Sequence, residues 1–500
     1  MTILFESLTE TGAHDESLTM FHFKNLKKPI CVLFLLAFII RFEAAMTVNR
    51  GSLSADPDGY AALAQNMRTY GVFGEGETPT AFRPPLYPAL LRAFYVFTPA
   101  SADKGDSRPF YLLSQQDATA LLHWILGLMT VMIVYRLALI LNFSRGWAFV
   151  AAVLVAVDPI LLAQSRVPMT ETLAAFLAVL IVWTLTLAMM PRQKSFLSFW
   201  GIGLLAGLSV LCRPVFFVFG IFVFFGLLNY TRMRKLMFRY SLAFLLGFVI
   251  FPFLWGVRNQ AKMGEFIVTT THGGYTLFLA NNDSLYAHNR HFGPFSGPWD
   301  PTEFKKKWKE IQAEDMEEYG EESGPAWELR KNELAYSSAH DAMSRSTQAA
   351  VFASLIRLGC FWQFLPYQTD PNESSFHKTC RYAVGVFYAV ELPLALLGFI
   401  YTCLPLASAR QRRKLVSPYW SNWSWPVLLV AAVLLPHIIY WTNMRMRAPL
   451  MTVVPIFAVI GLRVLCARKD DEPISVGGPP TPLSDPVPEE ENASAQKAAR

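Results

Sequence analysis

Two carboxylates one residue apart, Asp56 and Asp58, precede Tyr60 in the run DPDGY, and the same polar stretch continues to RPPLYP, Arg83 to Pro88. Acids in this pattern have two uses. Asp before Pro is a common helix start, and the AALAQNM stretch behind it has a helical pattern that either Asp56 or Asp58 could cap. A partly desolvated carboxylate near a bilayer surface also supplies a general base. RPPLYP divides in the same way. Its prolines set a rigid turn and Tyr87 suits an interfacial anchor, while Arg83 is placed to meet a lipid phosphate. The following ALLRAFYVF is too short to span and reads as an amphipathic helix along the membrane surface.

Further charged residues interrupt apolar runs. DPILLAQSRVPMTETLAAF sets Asp158, Arg166 and Glu171 around the junction of two spans. Asp158 reads as a cap, whereas Glu171, about a turn inside the next span beyond Pro168, needs a cavity or a partner, because acids at membrane depth are costly. Arg213-Pro214 breaks the run from Phe196 to Tyr230 into two helices, and its guanidinium either grips a phosphate bidentately or snorkels to the interface. Arg445 and Arg447 in NMRMRAPLMTVVP pose the same choice. Arg258-Asn259 closes another span, and HGGYTLFLANND follows, where Asn281 and Asn282 either make turns or hydrogen-bond sugar hydroxyls. Trp362, Phe364 and Tyr367 read as an aromatic belt without chemistry.

The elements that must position these groups are membrane helices. The 500 residues are 53% hydrophobic and 16% charged, against roughly 25% charged in soluble domains. Apolar stretches near 30–48, 118–141, 147–165, 168–190, 196–212, 214–230, 236–257, 382–404, 425–442 and 448–466 predict an all-α polytopic protein of about ten transmembrane helices. The first lies too deep, and lacks a cleavage site, to be a signal peptide. Ten crossings return both termini to one side. Lys24, Lys27, Lys28, Arg145, Arg192, Lys194, Arg232, Arg234, Lys235, Arg239, Arg410, Arg412, Arg413, Lys414, Arg468 and Lys469 fall there, which makes that side the cytoplasm. The net charge of +6 then reflects topology, and no nucleic-acid partner is needed. The outward loops 49–117 and 258–381 and the turns at 158–167, 212–214 and 442–447 share the opposite face, with 258–381 as a helical, partly ordered cap. Residues 1–29 and 467–500 read as disordered cytoplasmic ends around the 30–466 membrane domain. Cys31, Cys212, Cys403 and Cys466 suit packing, and Cys360 and Cys380 are the one pair that could bridge. There is no CxxC pair, HExxH or nucleotide-binding glycine fingerprint.

Taken in order, these motifs resemble the polytopic glycosyltransferases of the GT-C class, specifically the protein mannosyltransferase and aminoarabinose transferase superfamily of family 39 type. The residues that carry the resemblance, from about 30 to 466, are D-x-x-x-Y (Asp56 to Tyr60), R-P-P-x-Y-P (Arg83 to Pro88), P-x(8)-P-x-T-E (Pro159 to Glu171), C-R-P (Cys212 to Pro214), R-N-x(4)-G (Arg258 to Gly264), Asn281-Asn282, and R-x-R-x-P (Arg445 to Pro449). The resemblance implies a GT-C-like bundle with interfacial helices in the first outward loop, and a polyprenyl-phosphate-linked sugar as donor. It implies a catalytic acid at Asp56, with Asp58 as fallback where many relatives read Asp-Glu; Glu171, singled out by its depth in the apolar run, joins the catalytic set. Tyr60, Arg83, Tyr87, Arg213, Arg258, Asn281, Asn282, Arg445 and Arg447 become the substrate-binding set. Transfer would be inverting, to an acceptor that is lipid, polysaccharide or protein, without cofactor or metal, at a bacterial inner membrane. A secondary transporter or lipid flippase, and a non-catalytic envelope assembly protein, are the rival readings. Midplane charges and inverted repeats would mark a transporter.

Overall fold

The computed structural model describes residues 16–47, 56–98, 113–190, 195–229, 234–292, 298–320, 323–368, 370, 372–403 and 420–466. In chain order they form α1 (Glu16–Thr47), α2 (Tyr60–Thr69), a hairpin of β1 (Gly74–Glu75) and β2 (Thr78–Pro79), α3 (Leu86–Phe94), α4 (Gln115–Ile140), α5 (Arg145–Ala156), α6 (Pro159–Ala163), α7 (Glu171–Ala188), α8 (Phe196–Val210) and α9 (Val215–Leu228). Then follow α10 (Arg234–Phe248), α11 (Ile250–Met263), α12 (Gly273–Ala280), α13 (Asp283–Phe292), α14 (Thr302–Tyr319), α15 (Gly324–Arg345), α16 (Thr347–Phe361), α17 (Ser375–Cys403), α18 (Trp420–Ile439), a 3-10 segment (Met444–Thr452) and α19 (Val454–Cys466). The hairpin is antiparallel, with Gly74 opposite Pro79 and Glu75 opposite Thr78.

The fold is that of an all-α multi-span membrane protein. Only helices satisfy every backbone group internally in hydrocarbon, apart from closed barrels. Among the described residues, six stretches are long and apolar enough to cross alone: Ile30–Thr47, Gln115–Ile140, Arg145–Ala163, Glu171–Ala188, Leu236–Met263 and Ser375–Cys403. The 3-10 segment and α19 make a seventh when taken as one span bent by 71°. The shorter apolar helices α8, α9 and Trp423–Ile439 occupy the remaining three expected positions. α1 runs from Glu16, inside the stretch expected to be disordered up to residue 29. The tail 467–500 lies outside the described residues.

Gly59 and the Gly398/Gly461 pair show why particular residues stand where they do. Gly59, with φ of 75°, ends the Asp56 turn that feeds α2, a conformation that an L side chain resists. α17 and α19 cross so closely that a Cβ on Gly398 would lie 1.9 Å from the Phe457 carbonyl oxygen, and one on Gly461 2.0 Å from that of Leu394. Such small-residue contacts replace the hydrophobic drive that lipid removes between membrane helices. Substituting Gly398 by Val should therefore separate α17 from α19 and lower the melting temperature of the detergent-solubilised protein, at a cost of about 1–3 kcal/mol or more. Unchanged melting would show that this crossing is not tight.

Candidate active site

α2, the Arg83 turn, the turn after α8, the start of α7 and the 3-10 segment converge at one end of the bundle. The link is direct in the backbone, where Leu86 N donates to the Leu211 carbonyl at 2.9 Å. Arg83 Nη2 lies 3.1 Å from Asp58 Oδ1, and its Nε donates to the Asp58 carbonyl at 3.1 Å. Arg445 Nε lies 3.1 Å from Glu171 Oε1 and its Nη2 4.0 Å from Asp58 Oδ2, while Arg213 Nη1 is 3.9 Å from Glu171 Oε1. Three guanidiniums thus meet two carboxylates.

Glu171 is 1% exposed and is the first residue of α7, not a turn inside it, because Pro168 delays the helix start. The positive end of α7 adds to the attraction of the two arginines for its charge. The pairing is close but not aligned for hydrogen bonding. Both Glu171 oxygens, Arg213 Nη1 and Arg445 Nε are buried and have no hydrogen-bond partner among the described residues. Arg213 Nη2 donates to Met446 Sδ at 2.9 Å. Polar atoms so buried ordinarily find partners, so these atoms carry unspent hydrogen-bond capacity.

Gly59, not Asp56 or Asp58, holds the N-cap position of α2, though Asp56 Oδ2 still accepts from Ala62 N in its first turn at 2.8 Å. Asp56 Oδ1 is buried and unpartnered, so half of the carboxylate is left for other use. Tyr60 packs edge-on against Tyr87, with centroids 5.4 Å apart, and Arg83 lies over its ring at 5.6 Å. Burial raises the Tyr60 phenol, with the Arg83 guanidinium opposing this. Tyr87 shares a hydrogen bond with His123 Nε2 at 2.8 Å, and His123 Nδ1 sits 2.8 Å from the Gln164 carbonyl oxygen. A carbonyl accepts only, so Nδ1 carries the proton and Tyr87 donates to Nε2. His123 was not visible as a site neighbour in the sequence, since one histidine in an apolar run marks no partner.

Four expected binding residues are engaged elsewhere. Arg258 donates to the Thr80 and Phe73 carbonyls and to Asn259 Oδ1, and stacks 4.9 Å over Trp255, so it fastens the hairpin loop to α11. Asn281 Nδ2 donates to the Leu277 and Ile439 carbonyls, and its Oδ1 accepts from Tyr286. Asn282 Oδ1 accepts from Leu285 N, a helix-start contact. Arg447 is fully buried and donates to the Phe361 and Gln363 carbonyls beneath the Tyr388 ring. In a 3-10 helix of about three residues per turn, i and i+2 point well apart, which separates Arg447 from Arg445. Asp158 caps α6 through Leu161 N and accepts from the Tyr388 hydroxyl. Arg166 pairs with Asp117 and the Ala45 carbonyl. Cys360 and Cys380 are both free.

With this geometry in hand, residues 83–261 match the family model of the dolichyl-phosphate-mannose-protein mannosyltransferases. No curated protein sequence matches the chain. Among solved structures, the chain is similar to the oligosaccharyltransferase AglB of Archaeoglobus fulgidus, in complex with an inhibitory peptide and a dolichol-phosphate. The identity is 16% and the TM-score 0.47, over 87% of this chain and 50% of that one. It is also similar to ArnT of Cupriavidus metallidurans bound to undecaprenyl phosphate, at 12% identity and TM-score 0.40, over 87% of this chain and 77% of the other. The chain therefore spans about half the length of the archaeal oligosaccharyltransferase.

Two outcomes follow from the charges. Glu171→Ala strands two guanidiniums without their shared counterion and should cost about 3–5 kcal/mol of stability. Thermal unfolding of the solubilised variant checks this, and wild-type melting would show that the carboxylate does not hold the cluster. Burial, with the nearby Arg83 guanidinium, pushes the His272 imidazole down to about 3. The unfolded chain binds that proton near 6.5, so this contribution is whole above that pH and is lost as pH falls from there towards 3. His272→Phe should flatten the fall in unfolding temperature between neutral and mildly acidic buffer. An unchanged pH slope would place the titration elsewhere.

Proposed function

We propose that this chain, whose residues 83–261 match the model of the dolichyl-phosphate-mannose-protein mannosyltransferases, is a membrane glycosyltransferase. It moves a hexosyl or pentosyl group from a polyprenyl phosphate to an acceptor hydroxyl. The observation that carries this reading is the cluster of Arg83, Arg213 and Arg445 around Asp58 and Glu171, with buried donor atoms on Arg213 and Arg445 left without partners. Guanidinium groups suit a phosphate bidentately and keep their charge at any working pH.

The donor phosphate would enter at Arg213 and Arg445, with its lipid along the bundle. The free Oδ1 of Asp56 would receive the acceptor's hydroxyl proton as the acceptor oxygen bonds to the anomeric carbon. The bond from that carbon to the phosphate oxygen breaks, and its electron pair leaves with the polyprenyl phosphate. The second negative charge that develops there is what preorganised guanidiniums stabilise best, since they need no reorientation as the charge grows. Attack opposite the leaving phosphate inverts the anomeric configuration. We read the membrane as a bacterial inner membrane; by its basic residues the chain would keep both termini cytoplasmic and this site on the far face.

Incubation with a panel of polyprenyl-phosphate sugars, with released polyprenyl phosphate read by mass spectrometry, tests the reading. Asp56→Asn should lower kcat by about 100- to 10,000-fold, and Arg213→Ala by about 100- to 1,000-fold. Full turnover by well-expressed Asp56→Asn would remove Asp56 from the chemistry.

A further inference from the structure

A cavity of about 950 Å³ opens beside the Asp58–Arg83 pair, between the hairpin loop and the helices α14 and α15. We infer that this cleft holds the acceptor, and that the acceptor is a neutral oligosaccharide; the inference rests on the glycosyltransferase reading above. Position carries the first step. Asp58 and Arg83 line the cavity and also belong to the charged cluster, so a ligand lying in it borders that cluster directly.

The lining carries the second step. Tyr275, Trp308 and Trp327 face the cavity, and an aromatic ring face is a partner for the C–H face of a pyranose. Polar groups are interleaved with these rings. Gln312 Nε2 donates to the Trp308 carbonyl and Asn332 Oδ1 accepts from Gly274 N, which holds both amides in place. Gln312 Oε1 and Asn332 Nδ2 remain for hydroxyl groups, which both donate and accept. Aromatic walls with a few fixed polar groups are the usual build of a small-molecule site of this volume.

Charge and backbone argue against the alternatives. Asp58, Glu75 and Glu328 stand in the lining against Arg83 and Lys331, a balance that does not attract an anion. Much of that charge is already used. Glu328 accepts from Thr80, Ala81 N and Thr271, and Lys331 Nζ lies 5.5 Å from the Trp327 ring centroid. An extended peptide would pair with unused backbone groups at the rim. Here the Thr80 carbonyl, in the lining, accepts from Arg258, and behind it the Phe73 carbonyl accepts from Arg258, the Ala81 carbonyl from Thr271 N, and Ala81 N donates to Glu328.

The test is saturation-transfer NMR on the full-length protein in micelles, without donor, using maltotriose, mannotriose and a Ser/Thr-rich peptide as probes. A trisaccharide should receive saturation. Trp308→Ala and Trp327→Ala should each weaken its binding about tenfold, while Trp308→Phe, which keeps a ring in place, should retain most of it. Three results would overturn the inference: no trisaccharide binding, trisaccharide binding indifferent to both tryptophans, or peptide bound instead and lost in the same variants. Release of polyprenyl phosphate is read in a separate assay. Trisaccharide binding without donor turnover overturns the transferase reading alone, and turnover without trisaccharide binding overturns the oligosaccharide cleft alone.

Discussion

The buried carboxylate of Glu171 is the point on which the site depends. It sits within ion-pair distance of Arg213, brought by the turn after α8, and of Arg445, brought by the 3-10 segment. Two guanidiniums at membrane depth would repel each other and suffer desolvation, and one acid between them offsets both effects. Arg445 then extends the network to Asp58, which Arg83 holds from the other side. The Asp58 turn, the Arg83 turn, the start of α7, the turn after α8 and the 3-10 segment are thereby fixed around a single space.

A second set of contacts fixes the loop that closes this space. Arg258, at the end of a membrane helix, fastens the hairpin through two carbonyls, and Glu328, on α15, fastens its other side through Thr80 and Ala81. The hairpin has only two residues in each strand and could not stand alone in water. Its shape is borrowed from the helices on either side. The loop carrying Asp58 and Arg83 is therefore positioned by residues far from it in sequence.

That arrangement explains what was legible beforehand. Apolar length alone exposed the bundle, and charges inside apolar runs exposed Glu171, Arg213 and Arg445, since such residues need a reason at that depth. Arg447 carries the same sequence signal as Arg445 yet lies among the Phe361 and Gln363 carbonyls, because the local helix is 3-10 and turns the two side chains apart. Arg258, Asn281 and Asn282 were flagged for hydrogen-bonding chemistry, and the structure spends that capacity on backbone carbonyls. Glu328 and Trp308 left no signal at all. Each stands in a charged helical stretch where an acid or an indole is unremarkable until the loop it meets is known.

The Asp58–Arg83 pair belongs to two environments at once. On the bundle side it continues the network of Arg445, Glu171 and Arg213, where unpartnered buried donors suit an anion. On the loop side it forms one wall of a cavity whose other walls are aromatic rings and amides. A phosphate gripped from one side and a hydroxyl-bearing ligand stacked on the other would meet at this pair, close to the turn that carries Asp56. Arg83 is tied to Asp58 by both a side-chain and a backbone contact, which fixes the geometry of the pair. On the proposed reading, the division also accounts for the mixed character of the end of the bundle: charge is concentrated where a leaving phosphate would be stabilised, and aromatic surface where an uncharged ligand would be oriented.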